Sequence, residues 1–173
     1  DKCAHLAAEH IGTPAELDAI ADEINAAGGT ATAHICDVTE EDQVASAVKT
    51  AVDTYGRLDI MINNAGIGYL MTDILNLEQK DWDAVLNVNL RGVFFGIKHA
   101  AEQMIAQGEG GAIINVASQA AKRGFAGAAA YVSSKHGVVG LTRTAALEFG
   151  PHNILVNSIC PNHVTTGLGA WQN

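Results

Sequence analysis

Four short, largely apolar runs punctuate the chain: Ala31–Cys36, Leu58–Ile62, Ala112–Val116 and Ile154–Cys160. Each is bounded by turn residues and reads as a strand covered on both faces. Between them the apolar positions recur every three or four residues, the spacing of helices with one buried face. The first helix opens at Thr13, with Pro14 at its first position and Glu16 completing a Thr-x-x-Glu capping box. Its stripe is Leu17, Ile20, Ala21 and Ile24, and Gly28-Gly29 stops it. A second helix carries Val44, Val48, Ala51, Val52 and Tyr55 and ends at Gly56. A third, long pattern runs from about Glu78 to Gln107, with Asn76 as its cap, and a fourth from about Ala129 to Phe149, closed by Gly150-Pro151.

Strands alternating with helices require crossover connections, so the pattern predicts one α/β domain over 1–173: a doubly wound parallel sheet in a three-layer α/β/α arrangement. Such sheets bind ligands outside the carboxyl ends of their strands. The residues to inspect are therefore Asp37, Asn63-Asn64-Ala65-Gly66, Ala117-Ser118 and the segment from Pro161 to Thr166.

Composition narrows the class. Of 173 residues, 48% are apolar and 17% charged, enough to bury a core and unlike a disordered tail. Ten basic against nineteen acidic residues leave a net charge of −9, which repels a phosphate backbone and argues against nucleic-acid binding. Cys3, Cys36 and Cys160 are odd in number and widely spaced, as expected of reduced thiols rather than a disulfide framework or a zinc site. The seven histidines form no metal-ligand pattern, so no metal is expected. There is no uninterrupted apolar run of about 18 residues, and Asp1-Lys2-Cys3 does not open a signal peptide. These features predict a cytoplasmic protein without a membrane segment.

The sharpest chemical feature is Tyr131-Val132-Ser133-Ser134-Lys135. Tyr and Lys four apart share one helix face. A phenol with a pKa near ~10 is a poor base at neutral pH, and an ammonium beside it favours the phenolate. By itself the pair is equally an ordinary exposed helix pair. Ser118 follows the strand Ala112–Val116, where its hydroxyl either donates to a substrate oxygen or merely ends the strand. Asn89 interrupts the apolar positions Val85, Leu86, Val88 and Val93 of the third helix, which points to a local kink or an ordered water. In Asn63-Asn64-Ala65-Gly66 the small residues let a flat ligand approach the backbone, while the amides can tie this strand to its neighbour. Asp37 suits an adenine contact or a helix cap, and Thr39 is an equally good cap.

In this order and at these intervals, the residues resemble the short-chain dehydrogenase/reductase family from roughly Ala31 to Thr166. The resemblance implies a Rossmann-like fold and hydride transfer between NAD and a secondary alcohol or ketone. It assigns Tyr131 as general acid/base, Lys135 as the group that lowers the tyrosine pKa and binds the nicotinamide ribose, Ser118 as holder of the substrate oxygen, and Asn89 as the residue that positions a relay water. Asn64, Ala65 and Gly66 would line the cofactor, Asp37 and Val38 would meet its adenine, and Val164 and Thr166 would contact its carboxamide. Asn162 stands where the family has glycine, a change a positive-φ turn tolerates.

The family's opening Gly-rich turn between first strand and helix is missing. No apolar run is found for the two strands that would lie between Ala31–Cys36 and Leu58–Ile62, so the chain reads as a fragment lacking an N-terminal βαβ unit of about 35–40 residues and a C-terminal strand. Asp1 would then pair with the adenosine ribose and select NAD over NADP, with Lys2 as the complication. Asp1-x-Cys3-Ala4, the long stretch to Thr13-Pro14 and the ending near Gln172-Asn173 resemble the carveol-dehydrogenase-like, mycofactocin-linked subgroup. Two other functions share these motifs: an NADPH-dependent 3-oxoacyl thioester reductase and a non-catalytic nucleotide-binding regulator. Related chains form homodimers or homotetramers through the two long helices. Val93, Phe94, Phe95 and Ile97 on one, and Val138, Val139 and Leu141 on the other, serve either that interface or the domain core. His163, Trp171 and Phe125 are candidate borders of the substrate pocket.

Overall fold

The structure, a computed structural model, describes residues 14–68 and 71–162, together with the backbone of 4–7. Thr13, the expected first cap, lies outside the described residues, and helix α1 runs Pro14–Ala26. The remaining helices are α2 (Glu41–Tyr55), α3 (Gln79–Leu86), α4 (Gly92–Gln107) and α5 (Ala129–Phe149). The strands are β1 (Ala4–Ala7), β2 (Thr30–Ala33), β3 (Ile60–Asn63), β4 (Gly111–Val116) and β5 (Ile154–Ile159).

All strand pairs are parallel, as helical crossovers demand. The described strands form two sheets, β1-β2 and β3-β4-β5. β1 corrects the expectation that nothing precedes Ala31 in the sheet: its backbone pairs Ala4 with Thr30 through Ala7 with Ala33. A four-residue strand held by backbone bonds leaves little hydrophobic signature to read.

α4 and α5 cover one face of the larger sheet. Met104, Ile113, Val138 and Ile154 are fully buried there, joined by Val93, Ile97, Ala145 and Val156. Four of the seven apolar positions offered for a subunit interface, Val93, Phe95, Ile97 and Val138, are thus spent on packing within the domain, and Phe94 is the exposed one at 45%. A second cluster joins Cys36, Val44 and Ala47 to Phe95. The opposite face differs from expectation: Ile60, Ile62, Leu155 and Ile159 are each at least half exposed, since no described helix packs over them.

The third helical pattern is three elements. Between α3 and α4 lies a π-helical turn, Asn87–Arg91. Glu78, not Asn76, precedes α3 as its cap residue. The Asn76 amide instead turns back to donate to both Asp73 carboxylate oxygens, at 3.1 and 2.9 Å. Neither Asp37 nor Thr39 caps α2, which starts after Glu40. Among the described residues no helix is long and apolar enough to cross a membrane.

Candidate active site

The π turn places Asn89 where the kink was expected, with no exposed surface. Its amide pairs with both backbone groups of one residue: Oδ1 accepts from the Ile67 backbone N–H at 2.8 Å, and Nδ2 donates to the Ile67 carbonyl at 3.0 Å. Nδ2 also lies 3.4 Å from Ser134 Oγ. A buried amide must find partners, and here they clamp the loop that follows β3. Gly66 sits beneath this clamp. A Cβ there would come within 3.3 Å of Asn89 Oδ1 and 3.6 Å of Lys135 Nζ, so three predicted site residues converge and an added methyl would press on the Asn89 amide. Ala65 beside it is half-buried and Asn64 is exposed.

α5 delivers Tyr131 and Lys135 on one face. Lys135 is 4% exposed, its Nζ donates to the Val116 carbonyl at 2.8 Å, and it lies 5.7 Å from the centre of the Tyr131 ring. Burial disfavours the ammonium and pushes its pKa down to about 8. Of the three donors on that ammonium, a single hydrogen bond to a described residue is used. Tyr131 is half-buried, and its carbonyl accepts the Ser134 hydroxyl at 2.7 Å. β4 brings the serine: Val116 ends the strand, Ala117 N–H donates to Ile159 O and Gln119 N–H to Pro161 O, both at 2.9 Å, and Ser118 lies between them. Ser118 Oγ accepts from Ala120 N–H at 3.1 Å, which orients the hydroxyl and leaves its own proton to donate.

The expected adenine residues have local partners. Asp37 Oδ1 accepts from the Thr39 backbone N–H at 2.9 Å and from its hydroxyl at 2.8 Å, shaping the turn into α2. Val38 packs on Gly92, where an added Cβ would come within 2.9 Å of Val38 Cγ2. Phe125 is half-buried beneath Arg123, whose guanidinium lies 4.9 Å from the ring centre. Asp1, Val164 and Thr166, with His163 and Trp171, lie outside the described residues.

Sequence reasoning passed over Ile67, Ser134, Asn115 and Thr142. The last two belong to a buried chain in which Asn63 Nδ2 donates to Asn115 Oδ1 at 2.8 Å and Asn115 Nδ2 to Thr142 Oγ1 at 2.9 Å. The expectation that an amide of the Asn63–Gly66 segment ties its strand to the next is met by Asn63. An asparagine in the midst of the apolar run Ala112–Val116 was the available signal for Asn115.

Residues 4–173 match the family model described as short chain dehydrogenase. A borneol dehydrogenase, described as mitochondrial, of Lavandula x intermedia is 52% identical over 134 residues, which are 77% of this chain and 51% of that protein. Among solved structures, an NAD+-bound xylitol dehydrogenase superposes with a TM-score of 0.89 at 34% identity, over 95% of this chain and 62% of that one. A carveol dehydrogenase from Mycobacterium avium in complex with NAD superposes with a TM-score of 0.90 at 30% identity, over 94% and 62%. The chain spans about half the length of the curated relatives it matches. With a parallel α/β fold, a kinked helix bearing Asn89, and Tyr131 beside a buried Lys135, this chain belongs to the short chain dehydrogenase family.

Proposed function

We propose that this chain carries the catalytic centre of an NAD-dependent oxidoreductase that interconverts a secondary alcohol and its ketone. The observation that carries the reading is the ammonium of Lys135, desolvated and held on Val116 O, 5.7 Å from the Tyr131 ring and one strand end away from Ser118. The residues fit a nicotinamide cofactor: Gly66 leaves room beside Asn89 and Lys135, and Lys135 keeps donors for ribose hydroxyls. When bound, NAD supplies the hydride acceptor.

In this reading the Ser118 proton donates to the alcohol oxygen and holds it toward the phenol. Tyr131 takes the alcohol proton as its carbonyl forms, and returns one in reduction. Lys135, cationic near neutral pH, favours the phenolate of the tyrosine beside it. Asn89 acts first by fixing Ile67, and with it the floor beside Gly66. A role in holding a relay water rests on the resemblance alone.

Names of relatives support the finer reading. Borneol and carveol dehydrogenases point to a cyclic, terpenoid-type alcohol, and NAD in two solved relatives supports NAD over NADP. Asp37 and Val38, with Asp1, Val164 and Thr166, are proposed for the cofactor's adenine, ribose and carboxamide. We read the protein as cytoplasmic and as a homodimer or homotetramer, with exposed Phe94 on α4 at the contact. The test follows the absorbance of reduced nicotinamide with NAD and a panel of cyclic secondary alcohols. Tyr131→Phe should lower kcat by about 10³-fold while NAD still binds. Full activity in that variant would overturn the assignment.

A further inference from the structure

The buried polar chain beneath the site runs in one direction across three elements. Asn63 on β3 donates to Asn115 on β4, Asn115 donates to Thr142 on α5, and the Thr142 hydroxyl donates to the Val138 carbonyl at 2.7 Å. Asn63, Asn115 and Thr142 are 8%, 0% and 5% exposed. At its far end the Asn63 side chain lies against α4: a Cβ on Gly96 would fall 1.9 Å from Asn63 Oδ1. Because Thr142 spends its proton on Val138, it can only accept from Asn115. Every orientation in the chain is then determined.

The chain meets the catalytic pair at β4. Asn115 and Val116 are neighbours on that strand: one side chain holds Thr142, and the other's carbonyl holds Lys135. Thr142 and Lys135 are seven residues apart, two turns of α5 on the same face. The helix is therefore attached to the strand by two directional bonds. The apolar contacts around them, Val138 and Ala145 against Ile113, Ile154 and Val156, are non-directional and do not by themselves set its position along the strand.

We propose that Thr142 is a positioning residue for the proposed reaction: its bond from Asn115 holds α5 in register with β4, so that Lys135 stays on Val116 with Tyr131 beside it. The proposal rests on the oxidoreductase reading above. Thr142→Val keeps shape but removes the acceptor, and Thr142→Ser restores it. The measurements use the full chain, with activity expressed per NAD-binding site so that unfolded protein does not count. Thr142→Val should lower kcat about tenfold with the KM for the alcohol within about twofold, and Thr142→Ser should recover most of the loss.

A second readout does not need turnover. Acetylation of lysines by an amine-reactive ester, read by peptide mass spectrometry without NAD, should modify Lys135 several-fold faster in Thr142→Val, while exposed Lys49 is unchanged. Unchanged kcat per site together with unchanged Lys135 labelling would overturn the proposal. If Thr142→Val does not fold, Thr142→Cys, a weaker acceptor of similar size, is compared with Thr142→Ser by both readouts, and equal values overturn it. Should Tyr131→Phe stay active, the oxidoreductase reading fails. If Tyr131→Phe is dead and Lys135 is indifferent to Thr142, only the positioning role fails.

Discussion

α1 and α5 are both helices between parallel strands, yet they are held in opposite ways. α1 has thirteen residues and buries one of them, Leu17, while Ile20 of the same stripe stays 44% exposed. α5 has 21 residues and buries Ala130, Ser134, Lys135, Val138, Thr142 and Ala145. Half of those are polar, and each has a partner among the described residues. An apolar stripe suffices to make a helix lie down, but it leaves its exact seat loose. Buried hydrogen bonds carry direction, and leaving one unmade costs about 1–3 kcal/mol. The side chains proposed for catalysis, Tyr131 and Lys135, lie on the helix whose seat is specified this way.

Substitutions can break or sharpen this contrast. The largest loss is expected at Gly96→Ala, because the new methyl would overlap the Asn63 amide and force the buried chain apart. Chemical denaturation should show a loss of about 3 kcal/mol or more. On the other side, Leu17→Ala removes the one buried anchor of α1 and should cost about 2 kcal/mol. That variant's kcat should match the parent, and a loss of turnover per NAD-binding site would mean the two regions are not independent.

Lys135→Met tests the cost of the site itself. Below about pH 8 the folded state must keep a desolvated ammonium. Between about 8 and the ordinary lysine value the folded protein has released that proton while the unfolded chain still holds it, so parent stability rises with pH there. The methionine variant should thus be more stable by about 2 kcal/mol at neutral pH, after allowing for the lost bond to Val116. Its advantage should shrink as pH climbs through that window, and thermal melts at several pH values would reveal a contrary trend. Turnover should vanish in the same variant. The smallest effect belongs to Gly140→Ala on α5: nothing lies within 4 Å of the added Cβ, and the gain should be about 0.5–1 kcal/mol by denaturation.

Much of the fold was legible. The runs at 112–116 and 154–160 became β4 and β5 nearly residue for residue, because parallel strands joined by helical crossovers read as short, almost wholly apolar runs. The stripe ending at Gly56 became α2, closed by that glycine at φ 86°. β1 was not legible, since four residues are too few to carry a periodicity. Asn76 was misread as a cap because its competitor, the Asp73 carboxylate three residues away, is visible only once the turn is folded.

Residue types and spacing determined by themselves that strands alternate with helices, that Tyr131 and Lys135 share a helix face, and that Asn89 is out of place in an apolar pattern. These are local facts, set by bond geometry and the helical repeat. Tertiary structure decided what each group does with its hydrogen bonds. It put the Asn89 amide on Ile67 rather than on its own helix, took the Lys135 ammonium out of water and onto Val116, and linked Thr142 to a strand 27 residues away. Desolvation and pairing depend on groups remote in the chain that folding brings within about 3 Å. No window of sequence contains both partners.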